Sequence, residues 1–278
     1  MNPGSKARTF ALAGIALAFA IAAILWRSLS DRAGVVRTEH AEAELVAARE
    51  AAEPGAALTV ALRLKVAPGW HTYWRNPGDS GQPASLEWRL PPGFEAGPIR
   101  WPVPARFSLG PIANYGYKGE VLLPVEIRVP SDAKGKVRLA ARAKWLVCDP
   151  DRCLPESGEV SLELPVGRGG PSRWARAFDA IELPRPAPER WKLSARREGE
   201  RVLLEIAGAG DEPPLLFFPY EEGKVEHAAP QPVEPAADGL RLAIPASRQP
   251  VGEWRRLFGV LATAGGRGYE IDVPIEGK

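Results

Sequence analysis

Lys136–Val166, KVRLAARAKWLVCDPDRCLPESGEVSLELPV, holds two alternating runs and both cysteines of the chain. In its first half Val137, Leu139, Ala141, Ala143, Trp145 and Val147 share one parity, with Arg138, Arg142 and Lys144 on the other. Val160, Leu162 and Leu164 repeat the alternation in its second half. A period of two gives a strand with one face turned to a core and one to water. Asp149-Pro150-Asp151 between them is a turn, because proline fixes its own φ and aspartate side chains accept from nearby amides. Parity puts Cys148 on the face opposite Trp145 and Val147 as the first strand ends, and Cys153 begins the return. The two sulfurs are therefore expected at the lip of a hairpin, accessible rather than in the core.

The same pattern extends in both directions. ALTVALRLKV (Ala57–Val66) alternates through Leu58, Val60, Leu62, Leu64 and Val66, with Thr59, Ala61, Arg63 and Lys65 on the wet face, and ends at Pro68-Gly69. VLLPVEIRV (Val121–Val129) alternates again, and Pro124 within it predicts an edge strand, since proline cannot donate to a ladder. Short alternating strands divided by Pro and Gly indicate an all-β, antiparallel sandwich. A break follows at residues 168–189, where Ser172 is expected to cap a short helix carrying Trp174, Phe178 and Ile181 on one side. Pro184, Pro186 and Pro188 forbid its continuation. Strands resume in RVLLEI, GLRLAI, WRRLFGVLAT and GYEIDVPI, the last two joined by a Gly265-Gly266 turn. Residues 190–278 are read as a second, smaller β domain with no chemically suggestive cluster.

At the other end, Lys6 and Arg8 precede the uncharged run from Phe10 to Trp26. A basic start followed by an apolar stretch is an export signature. Residues 1–30 are expected to be a signal peptide or, as a hydrophobic helix over residues 10–26, a membrane anchor. Either outcome sends the remainder out of the cytosol, where disulfides persist. A formal net charge of +2, with acidic and basic residues interspersed, gives no argument for nucleic acid. There is no Gly-rich phosphate loop, and no cofactor is expected.

Three uses of the cysteine pair are open on the residues alone. As a staple, so small a ring contributes only about 2 kcal/mol through loop-closure entropy, which a domain with this many apolar strands does not need. As a metal site it lacks ligands, because His40, His71 and His227 are scattered. As a dithiol it would open and close. Asp149, Asp151 and Glu156 oppose thiolate formation while Arg152 and Lys144 favour it, so no strongly lowered thiol pKa is expected. Such chemistry suits a relay to thioredoxin-like partners better than an autonomous oxidant. In GWHTYW (Gly69–Trp74), Trp70, His71, Tyr73 and Trp74 are read as core and rim packing rather than a sugar-stacking platform, and His71 as a packed or surface histidine rather than a proton shuttle near a thiol.

PGWHTYWRNPGDSGQPASLEW, NYGYKGEVLLPVEI and WLVCDPDRCLPESGEVSLELPV together resemble the N-terminal periplasmic domain of the disulfide reductase DsbD, in its ScsB-like branch, over residues 45–167. The resemblance implies an immunoglobulin-like sandwich, in agreement with the strand reading. It implies a disulfide between Cys148 and Cys153, with Cys153 as the exchanging thiol and Cys148 as the resolving one. It also implies a shielding cap ending in Tyr-Gly, matched here by Tyr115-Gly116 with Tyr117 beyond. The family's acidic–aromatic run before Tyr-Gly is replaced by Pro111, Ile112, Ala113 and Asn114. No multi-span section and no thioredoxin-like domain with a C-x-x-C motif is present, so the implied electron donor is a separate membrane protein, and the implied partners are thioredoxin-like periplasmic proteins. The rival is a non-catalytic binding or assembly module whose disulfide never opens.

Overall fold

The computed structural model describes residues 34–209 and 213–277. The basic and apolar leader, with the helix expected over residues 10–26, lies outside the described residues. Among the described residues no helix is long and apolar enough to cross a membrane.

Two antiparallel sheets form the first layer pair. One sheet runs in the order β1 (Val35–Arg37), β2 (Ala41–Ala47), β3 (Ala57–Val66), β9 (Glu120–Arg128), β6 (Glu95–Ala96). The other runs β11 (Cys153–Pro165), β10 (Lys136–Cys148), β4 (His71–Gly78), β8 (Ile112–Lys118), β7 (Ala105–Leu109), and β5 (Ser85–Arg89) pairs with β10. The apolar parity read from the sequence faces inward: Leu58, Leu62, Leu64 and Leu123 from one sheet meet Leu139, Ala141, Trp145 and Val147 from the other, all buried. This is an immunoglobulin-like β-sandwich. The Lys136–Val166 stretch forms a single long hairpin in which β10 and β11 pair from Lys136↔Pro165 to Cys148↔Cys153.

Pro124 lies opposite Ala61 of β3. On its other flank the two-residue β6 has already ended, and Arg100 donates its backbone N–H to the Pro124 carbonyl at 2.7 Å. Only an acceptor is required there, which proline supplies. The strand is second from the edge, and the edge behaviour is confined to the position of the proline.

The outer face of β3 is not in water as expected. α1 (Ala175–Asp179) and its flanks lay Trp174, Ala177, Phe178 and Ile181 over Val46, Ala61 and Leu122. Ser172 is not the N-cap residue, a position taken by Trp174 without a side-chain cap bond. Its hydroxyl instead accepts from the Trp174 N–H at 3.0 Å and donates to the Ala47 carbonyl, tying the linker to β2. Beside that lid Arg63 is buried, with the Trp174 ring 5.1 Å from its guanidinium carbon and contacts to Glu42 (2.8 Å), Glu44 (2.7 Å) and Glu120 (2.6 Å). A buried guanidinium is tolerated because three carboxylates share it.

The Glu42 carboxyl is held below its ordinary value, first by the hydrogen bond from Arg63. A carboxyl that ionises more readily folded than unfolded stabilises the fold above its unfolded pKa, and that contribution is lost as pH falls through the depressed folded value. Stability in urea is therefore expected to fall as pH drops below the ordinary 4.5. An Arg63→Met variant should show a shallower fall over the same range, and equal slopes would exclude Arg63 as the cause.

The C-terminal sheet is ordered β15 (Pro214–Pro219), β18 (Arg256–Thr263), β19 (Gly268–Glu276), β13 (Lys192–Glu198), β14 (Arg201–Ala207), β17 (Gly239–Pro245), β16 (Val233–Ala236), with β12 (Arg185–Pro186) on β19. Its core contains Trp191, Leu204, Phe217, Leu242, Leu257 and Ile271. The joins of β13 and β12 to β19 are parallel, which alternation alone does not reveal. Phe218 and Val260 leave this sheet to enter the sandwich core. Trp74 of β4 meets Phe218 and Tyr220 at ring separations of 6.0 and 5.6 Å, and Asn76 donates to the Pro219 and Glu221 carbonyls at 2.9 and 3.1 Å. The C-terminal sheet is thus packed against the strand that runs beneath the cysteines.

Candidate functional site

Cys148 and Cys153 are joined in a disulfide across the last rung of the β10–β11 hairpin, with Cα atoms 4.1 Å apart. Four residues close the turn. The Asp149 N–H donates to the Arg152 carbonyl at 3.0 Å, and Asp149 Oδ1 accepts from the Asp151 and Arg152 N–H groups at 2.8 Å each. The Asp149 carboxyl is held below its ordinary value, first by the Asp151 N–H and despite some desolvation. The turn chemistry read from Asp149-Pro150-Asp151 is what the chain uses.

The two sulfurs differ in access. Cys153 is exposed, whereas Cys148 is 1% exposed. Cys148 does lie on the face opposite Trp145 and Val147, but that face is covered, so the expectation that both sulfurs are accessible holds for Cys153 alone. Tyr73, from β4, covers Cys148: its hydroxyl donates to Cys148 Sγ at 2.7 Å and lies 3.7 Å from Cys153 Sγ. Burial pushes the Tyr73 phenol up to about 12, so it stays a neutral donor. A groove of about 450 Å³ opens over the bond, lined by Tyr73, Ser80, Asn114, the Asp149–Cys153 turn and the β7–β8 hairpin tip at Gly110 and Ile112.

The residues matched to a shielding cap occupy the body of β8. Tyr115 is fully buried, 3.0 Å from His227 through its hydroxyl and edge-on to Phe218 at 4.8 Å. Tyr117 donates to the Pro102 carbonyl at 2.8 Å. Gly116 pairs with Tyr73, and a Cβ there would sit 1.9 Å from the Thr72 carbonyl oxygen, so the two strands approach too closely for any other residue. None of the three lines the groove over the disulfide; Ile112 and Asn114, from the stretch that departs from the family pattern, do.

The charged neighbours are mostly committed elsewhere. Lys144 is paired with Glu87. Glu156 accepts from Thr38 at 2.6 Å and from the Trp145 indole at 3.0 Å, and its other oxygen is 3.3 Å from His40. Only Asp149, Asp151 and Arg152 remain in the turn beside the sulfurs, with Arg152 also 5.4 Å from the Trp70 ring. Trp70, His71, Tyr73 and Trp74 are all buried, so none offers a ring face for sugar stacking. His40, His71 and His227 stand apart, and no cluster of three or more metal-binding side chains occurs among the described residues.

Sequence reasoning left Tyr73 and His71 as packing. Both belong to the site, because β4 runs beside β10 and His71 pairs with Cys148 itself. Their spacing of two, which puts them on one strand face, was the available signal.

An exposed sulfur bonded to a buried one, at the rim of a β-sandwich, is the site of a thiol–disulfide exchange domain. Residues 42–165 match the family described as thiol:disulfide interchange protein DsbD, N-terminal. The crystal structure of the N-terminal periplasmic domain of ScsB from Proteus mirabilis superposes with a TM-score of 0.65 at 18% identity, covering 88% of this chain and 98% of that one. At that identity the likeness is one of fold, and it takes in the C-terminal sheet as well as the sandwich. No curated protein sequence matched the chain.

Proposed function

We propose that the chain is a periplasmic thiol–disulfide exchange module, taking electrons from a separate membrane or thioredoxin-like donor and passing them to periplasmic disulfide proteins. The observation that carries this reading is the unequal exposure of two bonded sulfurs within the matched domain. In the reduced form the exposed Cys153 thiolate attacks a partner disulfide. A mixed disulfide forms and one partner sulfur leaves as thiolate. Cys148 then attacks Cys153 Sγ, closing the Cys148–Cys153 bond and releasing the second partner thiolate, so two electrons have moved to the partner. A donor dithiol reverses these steps.

Shielding between encounters falls, in this reading, to the Gly110–Ile112 tip, Asn114 and Tyr73, with Tyr115, Gly116 and Tyr117 as the buried base of the same hairpin. The division into a redox domain, a linker over residues 168–189 and a second β domain from residue 190 belongs to the proposal, as does a tether through residues 10–26. The equilibrium reduction potential tests the whole. A relay is expected to lie above about −300 mV, whereas structural disulfides lie below it. A lower value, with unchanged function in a double-serine variant, would leave a non-catalytic module.

A further inference from the structure

Four side chains stand in a row across four neighbouring strands. Lys118 on β8 pairs with His71 on β4, His71 with Cys148 on β10, and Cys148 with Cys153 on β11. Directly opposed residues of antiparallel strands project to the same face with Cβ atoms about 5 Å apart. The row runs from an exposed ammonium through a buried imidazole and a buried sulfur to an exposed sulfur.

His71 is 2% exposed, and its Nε2 is buried without a hydrogen-bond partner among the described residues. Tyr73, two residues along and so on the same face, meets the imidazole edge-on at 5.1 Å and bonds Cys148 Sγ through its hydroxyl. Phe107 closes the other side at 5.3 Å. A buried polar nitrogen left unpaired is costly, and such exceptions in a native fold call for an explanation.

The resolving step supplies one. Cys148 is 1% exposed beneath Tyr73 in the bonded form, and its thiol proton must go to an acceptor before the sulfur can attack. The Tyr73 phenol is a neutral donor and cannot serve. The imidazole can: burial first and the Lys118 charge second hold His71 below its ordinary value, against the opposing pull of Asp149 and of a hydrogen bond to the Cys148 backbone. It is therefore neutral, with a lone pair to offer, near pH 7.

We propose that His71 is the general base of the resolving step, taking the proton of Cys148 as that sulfur attacks the mixed disulfide on Cys153. The Cys148 S–H bond breaks, and its electron pair forms the bond to Cys153 Sγ. The bond from Cys153 to the partner breaks, and that pair leaves on the partner sulfur as thiolate. The imidazolium, disfavoured by burial and by Lys118, then gives its proton to solvent, which restores the neutral ring; Cys148 is reprotonated when a donor next opens the bond. Lys118 from β8, Asp149 from the end of β10 and Tyr73 on its own strand are the titratable groups that face the ring; Phe107 from β7 is uncharged.

This rests on the thiol-exchange reading, and its test needs no protein partner. Reduced protein reacts with 5,5′-dithiobis(2-nitrobenzoate) at the exposed Cys153, and release of the second nitrothiobenzoate reports attack by Cys148. His71→Gln is expected to slow that second phase at least about tenfold at pH 7 and to abolish the fall in rate below pH about 6.5 that protonation of a histidine base imposes. Lys118→Gln, an exposed change outside the core, removes a positive neighbour and should move that fall to higher pH. A second phase as fast in His71→Gln as in the wild type, or a profile unmoved by Lys118→Gln, overturns the proposal. The lysine variant decides alone if the histidine variant does not fold. Normal resolution with no exchange toward any thioredoxin-fold protein would sink the relay reading and leave this one standing.

Discussion

Cys148→Ser is expected to capture a thioredoxin-fold protein as a stable mixed disulfide, and Cys153→Ser is expected to capture none. The difference follows from access. Cys153 is exposed beside a groove of about 450 Å³, whereas Cys148 is 1% exposed beneath Tyr73. Thiol–disulfide exchange needs the attacking sulfur in line with the bond it breaks, and a partner's active-site sulfur can reach only the outer of the two. Once bonded to Cys153, the partner goes forward only by attack from Cys148, so serine at 148 leaves it only the return attack of its own displaced thiolate, and the adduct accumulates. Non-reducing electrophoresis after incubation of the reduced variant with an oxidised thioredoxin-fold protein reads the outcome directly. Capture by Cys153→Ser instead would reverse the two roles. Capture by neither would mean that the bond does not turn over.

The largest stability effect is expected at Trp74, outside the chemistry. Its indole is fully buried between the sandwich and the C-terminal sheet, touching Phe218, Tyr220 and Tyr115 at ring separations of 6.0, 5.6 and 6.5 Å. Truncating a buried Trp to Ala removes apolar contact and leaves a cavity, costing about 3–5 kcal/mol. Trp74 Nε1 is also buried without a partner, a liability of about 1–3 kcal/mol in the native state. Trp74→Phe discards that donor while keeping most of the ring, so its loss should be less than about half that of Trp74→Ala. Urea unfolding of both variants checks the ordering. A Trp74→Ala loss below about 1 kcal/mol would show that the sandwich and the C-terminal sheet are not energetically joined there.

Alternation revealed β3, β9, β10 and β11, because in each one parity is apolar and set into the core. β4 escaped it. His71 and Tyr73 are buried toward the disulfide while Thr72 and Trp74 are buried on the opposite face, so no polar parity marks the strand. Arg63 misled for a related reason, since a positively charged residue on the polar parity of β3 reads as solvated until α1 is laid over it. The cysteines themselves were plain, and so was their turn. What stayed hidden was the pairing of a tyrosine and a sulfur 75 residues apart, which depends on strand order rather than on local pattern. The burial of Cys148 follows from that same order.

Because the sulfurs occupy only the final rung of a hairpin whose strands are 13 residues each, cutting their bond removes one covalent tie from a ladder otherwise held by backbone hydrogen bonds. The scaffold is then expected to keep the same outline whether it carries electrons or not. Donor and acceptor would meet one rigid face, and the direction of flow would be decided by relative potential rather than by a change of shape.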